Sequence, residues 1–258
     1  MLMKILTVIF SIFLFCLLIL SHEFGHFAVA KLIGVRVNEF SVGMGPLLFG
    51  KKKGDTQYSL RLFPIGGYCM LQGEDETEDG EEGISDDPSS FANQSPLKKI
   101  AVLAAGSFMN IFTALVVLLI IYLALGYPFG VSARAAFRVM GIFAAAVKDG
   151  LVQILGGEVG REDVMGVVGM VGFISEQASY GFLNVAFLLC MISVNLGIIN
   201  MLPIPALDGG RILFVIIRWL SGGRLSAKAE AYVHTAGMVL LLALMVFLAI
   251  NDSINLLR

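Results

Sequence analysis

From Ile5 to Leu20 the chain carries a hydrocarbon side chain at every position except Thr7, Ser11 and Cys16. Continued to Lys31, the run is long enough to cross a bilayer, since about 20 apolar residues span the hydrocarbon core as a helix. No water is available there to satisfy backbone groups, so the segment is constrained to be helical. The run then ends in His22-Glu23-Phe24-Gly25-His26, an H-E-x-x-H sequence. Ionisable groups at membrane depth are costly and mark functional positions. On a helix His22 and His26 share one face, about 6 Å apart along the axis. Two imidazoles so placed can reach one Zn2+, and the glutamate between them lies beside the metal as a proton acceptor. Only three histidines occur in 258 residues, and two of them are here. The competing explanation, a polar helix end with no role, leaves polar groups unpaired in hydrocarbon.

The rest of the composition agrees. Hydrophobic residues make up 57% of the chain and charged residues 15%. That is the balance of a polytopic membrane protein. A net charge of −2 gives no footprint for nucleic acid. Cys16, Cys69 and Cys190 are scattered, form no C-x-x-C, and imply no disulfide framework. The first run lacks a small-residue cleavage site before the motif and is expected to be an uncleaved anchor.

The fold class expected is an all-α polytopic membrane protein of about four transmembrane helices, at 5–31, 100–125, 183–200 and 231–250. A small membrane-associated β-hairpin or sheet, 35–72, is expected after the first. Val35 to Phe40 alternates apolar and polar residues, the period of a strand. Leu47–Lys51 and Gln57–Leu62 read as hairpin arms around Lys53-Gly54-Asp55. An exposed edge there could pair with an extended substrate. The 73–94 stretch holds an acidic loop, with nine acidic residues in the fourteen from Glu74 to Asp87 and no calcium-loop spacing. Ser95-Pro96 reads as a helix start. Ala104-Ala105-Gly106-Ser107 permits close helix packing. Asn110, inside the second span, either bonds a neighbouring backbone or touches substrate. Residues 133–155 read as an amphipathic helix along the membrane surface. Gly166-Val167-Val168-Gly169 reads as a flexible turn. The whole chain, 1–258, is read as one membrane-embedded domain with no room for a separate soluble one.

The third span is broken at 201–210, Met-Leu-Pro-Ile-Pro-Ala-Leu-Asp-Gly-Gly. Pro203, Pro205 and the two glycines forbid a regular helix. Irregular backbone at that depth persists only in protein or lining a cavity. A catalytic zinc takes three protein ligands. His22 and His26 supply two, and Asp208, within the break, is the best third. His234 reads as a packing or interfacial residue, or as an auxiliary ligand. Lys and Arg number eight in the first loop and four in each later one. Four spans with both termini outside fit that bias. His22, His26 and Asp208 then all lie towards the cytosol.

His22 to His26, together with N-x-x-P-x-P-x-L-D-G-G at 200–210, resembles the site-2 protease family of intramembrane zinc metalloproteases. The likeness is greatest to the bacterial group that cuts anti-sigma factors and remnant signal peptides. Val35–Val42, Phe63–Tyr68, Asp87–Phe91 and Gly106–Asn110 are similar to that group as well. The resemblance implies Zn2+ held by His22, His26 and Asp208, with Glu23 as catalytic base. It implies substrate handling by Asn110 and Asn200, with Pro203 and Pro205 of the same motif, and a hairpin that re-enters the membrane. The partners implied are a transmembrane protein or peptide substrate and the bilayer, in a bacterial inner membrane. The group usually inserts PDZ domains between its second and third spans; none fits here. The rival reading is a membrane metal-ion transporter or carrier using the same ligands. Its polar groups should span the bilayer and its sequence should repeat, whereas here the polar groups gather at one depth and no repeat is visible. An intact Glu23 argues against a dead binding module.

Overall fold

A computed structural model describes residues 2–74, 87–158, 166–222 and 227–256. The acidic stretch, apart from Glu74 and Asp87, lies outside the described residues, as do Arg161 and Arg224. The elements run α1 (Leu2–Ile33), β1 (Val37–Lys53), β2 (Thr56–Leu71), α2 (Pro96–Ala124), α3 (Phe129–Gly156), α4 (Val167–Ser179), α5 (Phe182–Asn200), α6 (Asp208–Leu220) and α7 (Ala227–Leu256). The expected helical membrane fold with a hairpin after the first helix is what the chain adopts.

Among the described residues five helices are long and apolar enough to cross a membrane, one more than the four expected. The fifth is α3, read from sequence as a surface helix. Its charges, Arg134, Arg138, Lys148 and Asp149, stand away from an uncharged centre from Val139 to Val147. With so few charges over its 28 residues, its mean hydropathy reaches that of a span, which the amphipathic pattern hides. The chain is an integral membrane protein.

Two compact units are formed. One comprises Met1–Leu14, Asn110–Ile198 and Leu240–Arg258. Its core gathers Ala114 and Leu118 of α2, Ala136 of α3, and Cys190 and Val194 of α5. In this unit the expected turn at 166–169 is instead the start of α4. The reason lies far along the chain: Asp252 of α7 accepts the Gly166 and Gly169 amides at 3.3 and 2.8 Å. A carboxylate at a helix start satisfies amides that have no partner within the helix.

The second unit comprises Phe15–Met109 and Ile199–Val239. Here α1 ends at Gly34, whose φ of +84° is the left-handed stop that glycine adopts freely. Val35, Val37 and Leu71 of the sheet region pack with Ala30 of α1, Val102 and Leu103 of α2, and Ile212 of α6. The two strands meet in a two-residue turn at Gly54-Asp55, with Lys53 opposite Thr56. Val37 to Val42 pairs on one side with Gly67 to Leu71 and on the other with Gln57 to Leu60, so Gly67 to Leu71 forms an edge. Glu39 is tied to Arg61 at 2.7 Å. Burial opposes the Glu39 charge, but hydrogen bonds from Ser59, Arg61 and Tyr68 more than offset it and hold its carboxyl below the ordinary range. The sheet is fastened to α1 by Phe27, whose ring lies 5.0 Å from Phe40 and 6.0 Å from Tyr58.

Candidate metal centre

All of the centre lies in the second unit. One turn of α1 carries His22, Glu23 and His26, and both imidazoles are buried. Asp208 occupies the first turn of α6, after Leu207. His22 Nε2 and His26 Nε2 lie 3.1 Å apart. Asp208 Oδ2 is 3.0 Å from the first and 3.5 Å from the second. A tetrahedral ion about 2.1 Å from each donor would hold the donors roughly 3.4 Å from one another. The three observed separations bracket that value, so the donor set fits zinc in both geometry and chemistry. His26 Nδ1 lies 2.8 Å from the Val102 carbonyl, to which it donates. That bond puts the ring proton on Nδ1 and leaves the Nε2 lone pair for a metal.

Close approach of α1 and α2 makes this bond possible. A Cβ at Gly25 would run into the Ala105 carbonyl, and one at Gly106 into His26 Nε2 and His22 Cε1. Small residues at such crossings let backbones touch. The run at 104–107 announced the packing, but nothing in the sequence paired Gly25 with Ala105 or His26 with Val102.

Asp208 is delivered by the broken segment. Leu202 to Leu207 closes through backbone bonds such as Ile204 N to Leu202 O at 2.7 Å and Leu207 N to Ile204 O at 3.2 Å. Side chains at Gly209 and Gly210 would strike the Met201, Leu202 and Ile204 carbonyls, so only glycine fits at these two positions beneath the loop. Ala206 takes φ +73°. Pro205 packs on Gly237 of α7, and Pro203 is exposed. Both prolines shape the loop. Asn200 brings its amide within 3.3 Å of His22 Nε2. Asn110 belongs to the other unit, fully buried, and its backbone carbonyl accepts the Ser193 hydroxyl at 2.8 Å.

Glu23 Oε2 accepts the Cys69 amide at 3.0 Å. Lower on the same helix Cys16 Sγ lies 3.6 Å from the Gly66 carbonyl. Seven helical residues rise about 10 Å, and three strand residues advance about 10 Å. The end of β2 therefore runs alongside α1, from the apolar stretch up to the glutamate. Sequence reasoning placed a strand near the metal but had no signal for this register. Burial, then the Glu23 and Glu74 carboxylates, pushes the Cys69 thiol far up.

Comparison with known proteins points to the same class of protein. The sequence model of peptidase family M50 matches residues 10–244. A protein of Clostridium acetobutylicum named a zinc metalloprotease is 27% identical, over 98% of each chain. One so named from Clostridium perfringens is 28% identical over 96% of this chain and 98% of its own. Another from Campylobacter jejuni is 28% identical over 91% and 90%. The first alignment runs to 341 positions, so that relative carries stretches which this chain of 258 residues lacks. A metal-binding donor set inside an apolar bundle and a family match over nearly the whole length lead to one statement: this chain belongs to peptidase family M50 and is a membrane zinc metalloprotease.

Proposed function

We propose that the protein is an intramembrane endopeptidase, hydrolysing a peptide bond within or near the transmembrane segment of single-pass membrane proteins. Anti-sigma factors and remnant signal peptides are the proposed substrate classes, and the active site faces the cytosol of a bacterial inner membrane. The observation that carries this reading is the position of Glu23. It stands between two buried imidazoles that share their donor set with Asp208, on a helix whose preceding turns are hydrocarbon.

His22, His26 and Asp208 would hold the ion, which when bound acidifies water and polarises the scissile carbonyl. Glu23 takes the proton from the attacking water and delivers it to the leaving amine. The Cys69 amide positions the Glu23 carboxylate for that transfer. Asn200, within reach of the same donors, orients the peptide, and Asn110 contributes to substrate handling. A helical substrate hides its carbonyls in hydrogen bonds, so it must unwind before attack. The Gly67 to Leu71 edge has its Cys69 and Leu71 amides on Glu23 and Glu74, and its carbonyls would be the main-chain partners of an extended segment. Strand addition there would lay the segment beside Glu23.

The test is cleavage of a single-pass membrane helix by purified protein in lipid. Glu23→Gln should lower the rate by at least about a hundredfold while zinc content stays at the wild-type level. Full activity of that variant would reject Glu23 as the base.

A further inference from the structure

Between Lys228 and Leu240 most side chains of α7 are exposed. The exceptions are Glu230, Ala231, His234 and Gly237. That spacing puts them on one stripe of the helix. The stripe meets the chain around Asp208 at three levels. Glu230 pairs with Arg218 of α6. His234 Nδ1 accepts the Ala206 amide at 3.0 Å, and its ring lies 5.2 Å from that of Phe214. Gly237 brings α7 close to the loop, since a Cβ there would lie 2.6 Å from Pro205 Cβ and 3.0 Å from its carbonyl. Pro205 and Ala206 precede the acid in sequence, and Phe214 and Arg218 follow it. The start of α7 therefore grips the chain on both sides of Asp208.

Ala206 is where a grip is most needed. Its φ of +73° makes it the one non-glycine residue with positive φ among the described residues. A Cβ crowds the backbone in that region, so such a residue persists only where its surroundings hold it. The bonds from Ile204 N to Leu202 O and from Leu207 N to Ile204 O flank Ala206 without using its amide. At membrane depth an amide outside a helix needs a partner from the protein. Ala206 finds it in the imidazole, whose Nδ1 must carry no proton in order to accept.

Sequence left His234 between packing and an auxiliary ligand. Among the described residues the cluster that could hold a metal is His22, His26 and Asp208, and His234 is not in it. Its contact is instead with the loop that delivers the acid.

We propose that His234 is a positioning residue for the metal: by holding the Ala206 amide it keeps the loop in the conformation that aims Asp208 at the two imidazoles. This rests on the reading of Asp208 as a zinc ligand. Ala206 stands two residues before the acid, so relaxation of its φ would carry the carboxylate away from its place 3.0 Å from His22 Nε2.

The test measures zinc affinity of the purified full chain by competition with a chelating dye. The visible spectrum of the cobalt-substituted protein is read alongside, because it reports the geometry of the donors. His234→Phe keeps a ring against Phe214 and removes the acceptor. It should weaken zinc binding by roughly 10- to 100-fold, the range seen when the support of a ligand is lost, and alter the cobalt bands. His234→Asn offers a side-chain oxygen close to the place of Nδ1 and should restore both. Ala236→Gly loosens α7 on its exposed face, away from the loop, and should leave both at the wild-type values. Should His234→Phe not fold, His234→Ala, which also lacks the acceptor, is read in its place. Asp208→Ala separates the two readings. Wild-type zinc affinity in that variant would reject Asp208 as a ligand and this inference with it. Loss of zinc in Asp208→Ala but not in His234→Phe would overturn the role of His234 alone. Equal weakening by His234→Asn and His234→Phe, or by Ala236→Gly and His234→Phe, would overturn it too.

Discussion

At the scale of single residues, the proposed zinc ligands rest on a glycine. Gly106 faces both imidazoles, and an added methyl group would meet His26 Nε2 and His22 Cε1. Gly106→Ala is predicted to lower zinc affinity by roughly 10- to 100-fold, the range typical when the support of a ligand is disturbed. Zinc per chain after dialysis against a metal buffer, with helicity from circular dichroism alongside, checks it. Wild-type zinc affinity in that variant would show that the two helices separate freely. The residue scale is also where the sequence was most legible. His22, Glu23, His26 and Asp208 stood out because each is an ionisable group in apolar surroundings. Val102 did not, because its contribution is a backbone carbonyl, and any side chain supplies one of those.

At the scale of elements, legibility followed the range of the forces involved. The spans and the hairpin were readable because hydrocarbon runs and period-two alternation are local. The start of α4 was not, since its cap comes from Asp252, over eighty positions on. Nor was the register that lays the end of β2 along α1. The hairpin makes a prediction about pH. Its Glu39 is held below the ordinary carboxylate range by Ser59, Arg61 and Tyr68, which outweigh burial. A lowered folded-state pKa stabilises at every pH above the unfolded value, about 4.3. The contribution is lost as pH falls through the lowered folded value. Hydrogen exchange of the Glu39–Arg61 region should be flat from pH 5 to 8 after correction for intrinsic rates. Protection should drop only under acid, and Glu39→Gln should remove that drop. A loss of protection centred near neutrality would contradict this account.

At the scale of the whole molecule, the proposed ligands come from α1 and α6, and an ion held by both cross-links distant parts of the chain. The folded state presents all three donors together, and the unfolded state does not. Free zinc at a hundredfold excess over its dissociation constant should therefore add about 2.7 kcal/mol of stability. A chelator should lower the thermal midpoint of wild type and of Glu23→Gln alike. An unchanged midpoint with zinc demonstrably removed would argue against Asp208 as a ligand. The same separation in sequence bears on biosynthesis. A ribosome that has finished α1 has made both imidazoles and the proposed base, but not the carboxylate; the hairpin, α2, α3, α4 and α5 must all be synthesised first. Until Asp208 emerges, the growing chain carries an incomplete donor set among the other nascent helices at the insertion site. On the proposed ligand set, peptidase activity therefore arrives only late in synthesis, once Asp208 has been made.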